Sequence, residues 1–221
     1  MHIEFLVEDS SGCALLEILV PKLIGTRGES HTWRLHAYKG LARLPKPGGL
    51  SKTDPAKRQL LDRLPNLLRG LGKTPGFDAI VVVLDADKLN CVAFLAELRQ
   101  VAKDCGVADR TLFRLAIEEI EAWYLGDRAA LMAAYPRANQ KRLADYRQDS
   151  VCGTWEWLAD AVVKGGAPAA KRGHGPNAGD LKHEWARAIG PRMAPENNAS
   201  PSFAKFRDGL RRISDRTNPG T

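Results

Sequence analysis

A short β-branched run, Ile80-Val81-Val82-Val83-Leu84, is preceded by the breakers Pro75-Gly76 and ends in Asp85-Ala86-Asp87. Such a run predicts a strand buried on both faces, as in a parallel sheet covered by helices. Ile3 to Val7 and Thr111 to Ile117 read the same way, and His31 to Tyr38 alternates apolar with polar positions as a further strand. Between them the apolar spacing turns helical. Ala14, Leu15, Ile18, Leu19 and Leu23 form one such stripe, for which Ser10 or Ser11 is a candidate cap. Asp54 with Pro55 predicts the opening of a second helix, through Leu60, Leu61, Leu64, Leu67 and Leu68 to a close near Gly70. Asn90 predicts the cap of a third, from Cys91 through Phe94, Leu95, Leu98 and Val101 to about Cys105-Gly106.

This alternation predicts an α/β fold, a mostly parallel Rossmann-like sheet flanked by helices over residues 1–135. After a helical stretch to Tyr135, the remainder, 136–221, reads as a helical, basic C-terminal portion packed on the same domain. It holds helices over Leu181 to Ile189 and, from a cap at Ser200 with Pro201 first, Ser202 to Ile213. Trp155, Trp157 and Trp185 are its expected anchors against the sheet.

The candidate chemistry is acidic and sits at strand ends. In open α/β sheets, ligands bind beyond the carboxyl ends of the strands. Glu8, Asp85 and Asp87 fall there, and so do Glu118, Glu119 and Glu121 after the last strand. Converging carboxylates repel unless a cation lies between them, and hard oxygen ligands suit Mg²⁺ or Mn²⁺. Taken singly, each has a structural alternative. Glu8 reads as a turn residue, one aspartate as a helix cap, and acids near Glu118 as partners of a helix dipole. A helix opening at about Glu118 would put Glu118 and Glu121 on one face, with Glu119 turned away.

Composition adds an anionic partner. The 33 basic against 26 acidic residues leave a net charge of +7, which favours nucleic acid over a membrane. Lys39, Arg43, Lys46 and Lys52 cluster in a loop rich in Gly and Pro, and Arg207 and Arg211 lie on the last helix. These are the candidate phosphate contacts, although a solvated cationic face reads equally well. No run of ~18 apolar residues and no leader pattern is present, so a cytoplasmic protein is expected. The four cysteines show no C-x-x-C pair, which argues against a disulfide framework and a zinc site.

Two glycine-rich stretches fail as nucleotide motifs. Leu67 stands where the P-loop pattern ending at Gly72-Lys73-Thr74 needs glycine, and the segment follows a helix instead of a strand. Gly173 to Gly179 has no strand before it and contains Pro176, so it reads as a loop. Leu89 departs from the dehalogenase-type phosphatase pattern, while a D-x-D glycosyltransferase stays open.

Glu8 after one strand and Asp85-x-Asp87 after a later one resemble the Toprim nuclease arrangement. Val7-Glu8-Asp9-Ser10, Leu84-Asp85-Ala86-Asp87 followed by Cys91, the stretch from Glu119 to Asp127, and Asn198-Ala199-Ser200-Pro201-Ser202-Phe203 resemble the DUF4276 family, which is Toprim-like. The resemblance spans nearly the whole chain and departs after Glu8, where Asp9 replaces a common glycine. It implies metal ligation by Glu8, Asp85 and Asp87, and makes Glu121 the best-matched member of the third acidic cluster; Glu118, Glu119 or Glu121 are expected to supply further ligands or a base. The expected activity is Mg²⁺-dependent phosphodiester cleavage of nucleic acid, DNA before RNA, by a metal-dependent endonuclease. A role in phage defence beside an ATPase is implied by the family alone. The alternative is a catalytically weak subunit that binds nucleic acid or an ATPase.

Overall fold

The computed structural model describes residues 1–45, 59–172 and 177–216. Four strands form one all-parallel sheet in the order β2-β1-β3-β4. They are β1 (His2–Val7), β2 (Thr32–Ala37), β3 (Ala79–Asp85) and β4 (Thr111–Ala116). The connecting helices are α1 (Ser10–Ile24), α2 (Leu60–Lys73) and α3 (Cys91–Asp104), with a 3₁₀ turn at Ala108–Arg110 before β4. Short helices follow: α4 (Glu121–Gly126), α5 (Arg128–Ala134), α6 (Gln140–Ala144), α7 (Thr154–Val162) and α8 (Gly166–Lys171). The last two are α9 (Ala178–Ile189) and α10 (Pro201–Arg216).

Alternation along each strand sorts side chains to two apolar layers. Leu6, Ile80, Val82, Leu84 and Phe113 pack with Leu60, Leu64, Leu68, Phe94 and Leu98 of α2 and α3. Ile3, Phe5, Val7, Val81 and Val83 face the larger layer, where α1 joins Trp123, Trp155, Trp185, Phe203 and Phe206. That layer draws on both sides of position 136. Trp157 differs from its two neighbours in being only half-buried, with the Arg142 guanidinium 3.4 Å from its ring centroid.

The local chemistry refines several element ends. Asn90 caps α3, its side chain accepting from Val92 N and Ala93 N. Ser200 Oγ accepts from Phe203 N at the start of α10. The cap of α1 is neither serine but Asp9, whose carboxylate takes Gly12 N at 2.6 Å and Ser11 Oγ at 2.8 Å. Carboxylate is a strong N-cap acceptor, which accounts for Asp9 in place of a glycine. Helix α2 runs on through Gly70 to Lys73, and the expected cap at Asp54-Pro55 lies outside the described residues. Of Gly173 to Gly179, the first four also lie outside them, while Asn177 caps α9 through a reciprocal bond with Asp180.

Helix α4 opens at Glu121 instead of Glu118 because Glu118 has φ 63° and cannot begin a right-handed turn. Asp87 is left-handed as well, at φ 45°, and its amide donates to Glu118 O at 2.9 Å. Two left-handed non-glycine residues thus face each other beyond β3 and β4, each at a cost of about 1 kcal/mol or more.

Candidate metal centre at the sheet switch point

Chain order places β2 on one side of β1 and β3 on the other, so the switch point of the sheet lies between the ends of β1 and β3. Glu8 follows β1 and Asp85 ends β3. The Asp85 amide donates to Glu8 Oε2 at 3.0 Å, and the Gly40 amide donates to Glu8 O at 3.1 Å, fixing the glutamate between two strand exits.

Of the acids there, Glu8, Asp85 and Glu121 are poorly hydrated, while Asp87 is exposed. Burial, opposed by the Asp85 amide and reinforced by Asp87 and Asp9, raises Glu8 to about 7. Asp85 is pushed well above the usual carboxylate range, first by burial and then by Glu8 and Glu121. Asp87 moves up through burial and Glu118. Glu121 has no exposed surface and receives no hydrogen bond on either oxygen among the described residues. Burial raises it to about 7 although Lys182 pulls the other way.

Lys182, from α9, is the cation of this cluster. Its Nζ stands 3.2 Å from Glu119 Oε1 and 3.5 Å from Glu121 Oε1. Burial works against the ammonium, but Glu121, Asp85, Glu119 and Asp9 outweigh it and hold its pKa above the usual lysine value. Nothing in the sequence singles Lys182 out, since it sits in an ordinary amphipathic helix whose docking against α1 brings it here. Tyr124 also faces the cluster: burial, Glu121, Asp9 and Asp85 keep its hydroxyl protonated.

Glu118 and Glu119 have a second employment. Glu118 accepts from the Gly153 and Thr154 amides, and Glu119 Oε2 from the Trp155 amide at 3.0 Å, so together they cap α7. The charges of Glu8 and Glu121 both act on Asp85; Asp9 and Asp87 add to the effect on Glu8, and Lys182 opposes all of them. Among the described residues no group of three or more His, Cys, Asp or Glu side chains is preset for a metal ion. Glu121 keeps two buried oxygens without hydrogen bonds, and one lysine faces several carboxylates.

A cavity of about 920 Å³ opens beside the cluster, lined by Arg43, Leu61, Asp87, Lys88, Phe94 and Glu118. Lys39 is exposed two residues beyond β2, at the same end of the sheet. Lys46 and Lys52 lie outside the described residues. Arg207 and Arg211 are elsewhere and already matched: Arg207 Nε bonds Asp208 at 2.8 Å, Arg207 Nη1 stands 3.4 Å from Glu196, and Arg211 pairs with the same glutamate. No helix among the described residues is long and apolar enough to cross a membrane.

No curated protein and no solved structure matches the chain. A family model, described as a domain of unknown function, DUF4276, matches residues 7–211, from the residue before Glu8 to the middle of α10. The chain belongs to the DUF4276 family.

Proposed function

We propose that the chain is a Mg²⁺- or Mn²⁺-dependent phosphodiesterase acting on nucleic acid, in the manner of a Toprim-like nuclease. The observation that carries this reading is the buried carboxylate cluster at the switch point, with both oxygens of Glu121 free of hydrogen bonds. Glu8, Asp85 and Glu121 would hold the ion, with Asp87 at the cavity side. Once bound, such an ion supplies charge stabilisation to phosphoryl oxygens and a more acidic water. Glu8 is oriented by the Asp85 amide, and the burial that raises its pKa is what a bound cation would offset, drawing it into the ionised form that ligates. Lys182 would offset part of the negative charge that a phosphate meets at Glu119 and Glu121. Arg43 in the cavity lining, and Lys39 exposed at the same end of the sheet, would contact the backbone of DNA or RNA. A role in defence against phage, beside an ATPase, rests on the family resemblance.

A second reading has its own support. Lys182 partly neutralises Glu119 and Glu121 without any metal, as a catalytically weak subunit that binds nucleic acid or an ATPase would allow. Cleavage of single- and double-stranded DNA and RNA with Mn²⁺, for wild type and Glu8→Gln, separates the two. Loss of about 100-fold, roughly 3 kcal/mol of transition-state stabilisation, is expected with circular dichroism unchanged. Equal cleavage by both proteins would remove Glu8 from the chemistry. Absence of cleavage by wild type, with an adjacent ATPase added, would favour the binding subunit.

A further inference from the structure

At the opposite end of the sheet, Ala79 of β3, Leu112 of β4 and Gly209 of α10 line a pocket of about 460 Å³. Four arginines from three separate elements also line it: Arg110 from the 3₁₀ turn, Arg114 from β4, and Arg212 and Arg216 one turn apart on α10. None of the four takes part in an ion pair among the described residues. Arg207 and Arg211 of the same helix, by contrast, are matched by Glu196 and Asp208. The acids nearest the pocket are few. Asp78 and Asp109 line it, Asp78 already accepting from the His2 amide at 2.6 Å, and Asp208 is bonded to Arg207.

Arg114 is built in place. Its Nε donates to Lys205 O and its Nη1 to Phe113 O, both at 2.7 Å, and Nη2 has no hydrogen-bond partner among the described residues. The guanidinium lies flat against α10 at Gly209, where a β-carbon would stand 2.7 Å from its Cζ and Nε. Glycine inside a helix costs about 1 kcal/mol relative to alanine, and here it makes room for the arginine. Burial, and after it the like charges of Arg212 and Arg99, lower Arg114 to about 10 against the opposing pull of Asp208.

We propose that this pocket binds a small phosphate-bearing anion, with Arg110, Arg114, Arg212 and Arg216 as its cationic lining. Guanidinium groups match phosphate oxygens in paired, charge-assisted hydrogen bonds, and the volume suits a ligand up to about mononucleotide size. Convergence of the arginines on one pocket from three elements favours a compact ligand over an extended strand. The site is separate from the acidic cluster, because the seven residues of β3 span roughly 20 Å between them.

Titration calorimetry on the full chain in excess EDTA tests this, with inorganic phosphate and AMP as probes and sulfate as a control for general anion screening. Wild type and Glu8→Gln should bind alike, and Arg212→Gln/Arg216→Gln, whose two positions are exposed, should bind about tenfold or more weakly. Gly209→Ala should weaken binding too, by displacing Arg114. Phosphate and AMP binding equally tightly would assign the site to the phosphate group alone, and tighter AMP would assign it to a nucleotide; either supports the proposal. It is overturned if neither probe binds at millimolar concentration, if the double variant binds as wild type does, or if sulfate competes equally. It also falls if Glu8→Gln abolishes binding, or if only an oligonucleotide binds through these arginines.

Discussion

The Asp85 amide reaches across 77 positions of the chain to donate to Glu8 Oε2 at 3.0 Å. This one bond ties the exits of two adjacent parallel strands and directs a carboxylate into the crevice between them. It also leaves Glu8 in a space too dry for several negative charges, and the predictions for the site follow from that conflict.

Metal-free protein should lose stability as pH rises. Glu8 and Glu121 carry folded-state values of about 7 against the ordinary 4.5. Between those values the native state keeps protons that the unfolded chain has released. Stability should therefore fall as pH climbs from 4.5 through 7, with Asp85 contributing in the same direction. Melting temperatures in EDTA across this range test it. Mn²⁺ or Mg²⁺ should offset the fall, and should do much less for Asp85→Asn/Asp87→Asn. A melting temperature flat with pH, or equal metal shifts in both proteins, would count against the cluster as described.

Removing Lys182 should expose the same conflict from the other side. Lys182→Met leaves Glu121 buried and without its 3.5 Å partner, at an expected cost of about 3 kcal/mol at pH 8. Adding Glu121→Gln to it should restore part of that loss. If chemical denaturation finds the single variant as stable as wild type, the lysine does not balance the acids.

Gly126→Ala should be among the most damaging small substitutions. A β-carbon there would stand 2.9 Å from the Ser200 amide nitrogen and would also meet the Asn198 carboxamide. Asn198 Nδ2 donates to Trp123 O at 2.8 Å, and the Ala199 amide to Gly126 O at 2.9 Å, so the segment before α10 is clasped to α4. A loss of about 2 kcal/mol or more by urea unfolding is expected. A neutral result would show that the clasp yields easily.

Binding to DNA should weaken steeply with salt. Lys39→Gln/Arg43→Gln should lower affinity and flatten the log–log salt slope by about 2, whereas Arg207→Gln/Arg211→Gln, whose charges are internally matched, should change the slope little. Fluorescence anisotropy over a salt series measures both, and the reverse order would place the nucleic acid on α10.

Much of the sheet and its acidic edge was legible because local chemistry determined it. The β3 run, the Asn90 cap and the Ser200-Pro201 start of α10 each rest on neighbours within a few residues. The site was legible only in part. Lys182 reaches Glu119 from 63 residues away, and Glu118 meets the start of α7 at a separation of 36, relationships that only packing creates. The start of α4 is also hidden from local propensity, because the left-handed backbone of Glu118 answers to the Asp87 amide. Asp9, Ser10 and Ser11 are all good caps by residue type, and only the geometry of the turn selects Asp9.

The all-parallel sheet has a consequence for synthesis. No strand can zip to its successor through a hairpin, and β1 must wait for β3 before both of its edges are paired. The residues that meet at the crevice enter in the order Glu8, Asp85, Glu121, Lys182. A nascent chain emerging from the ribosome therefore carries the acids long before the lysine that balances them, and the crevice takes its final electrostatic form only when α9 docks against α1.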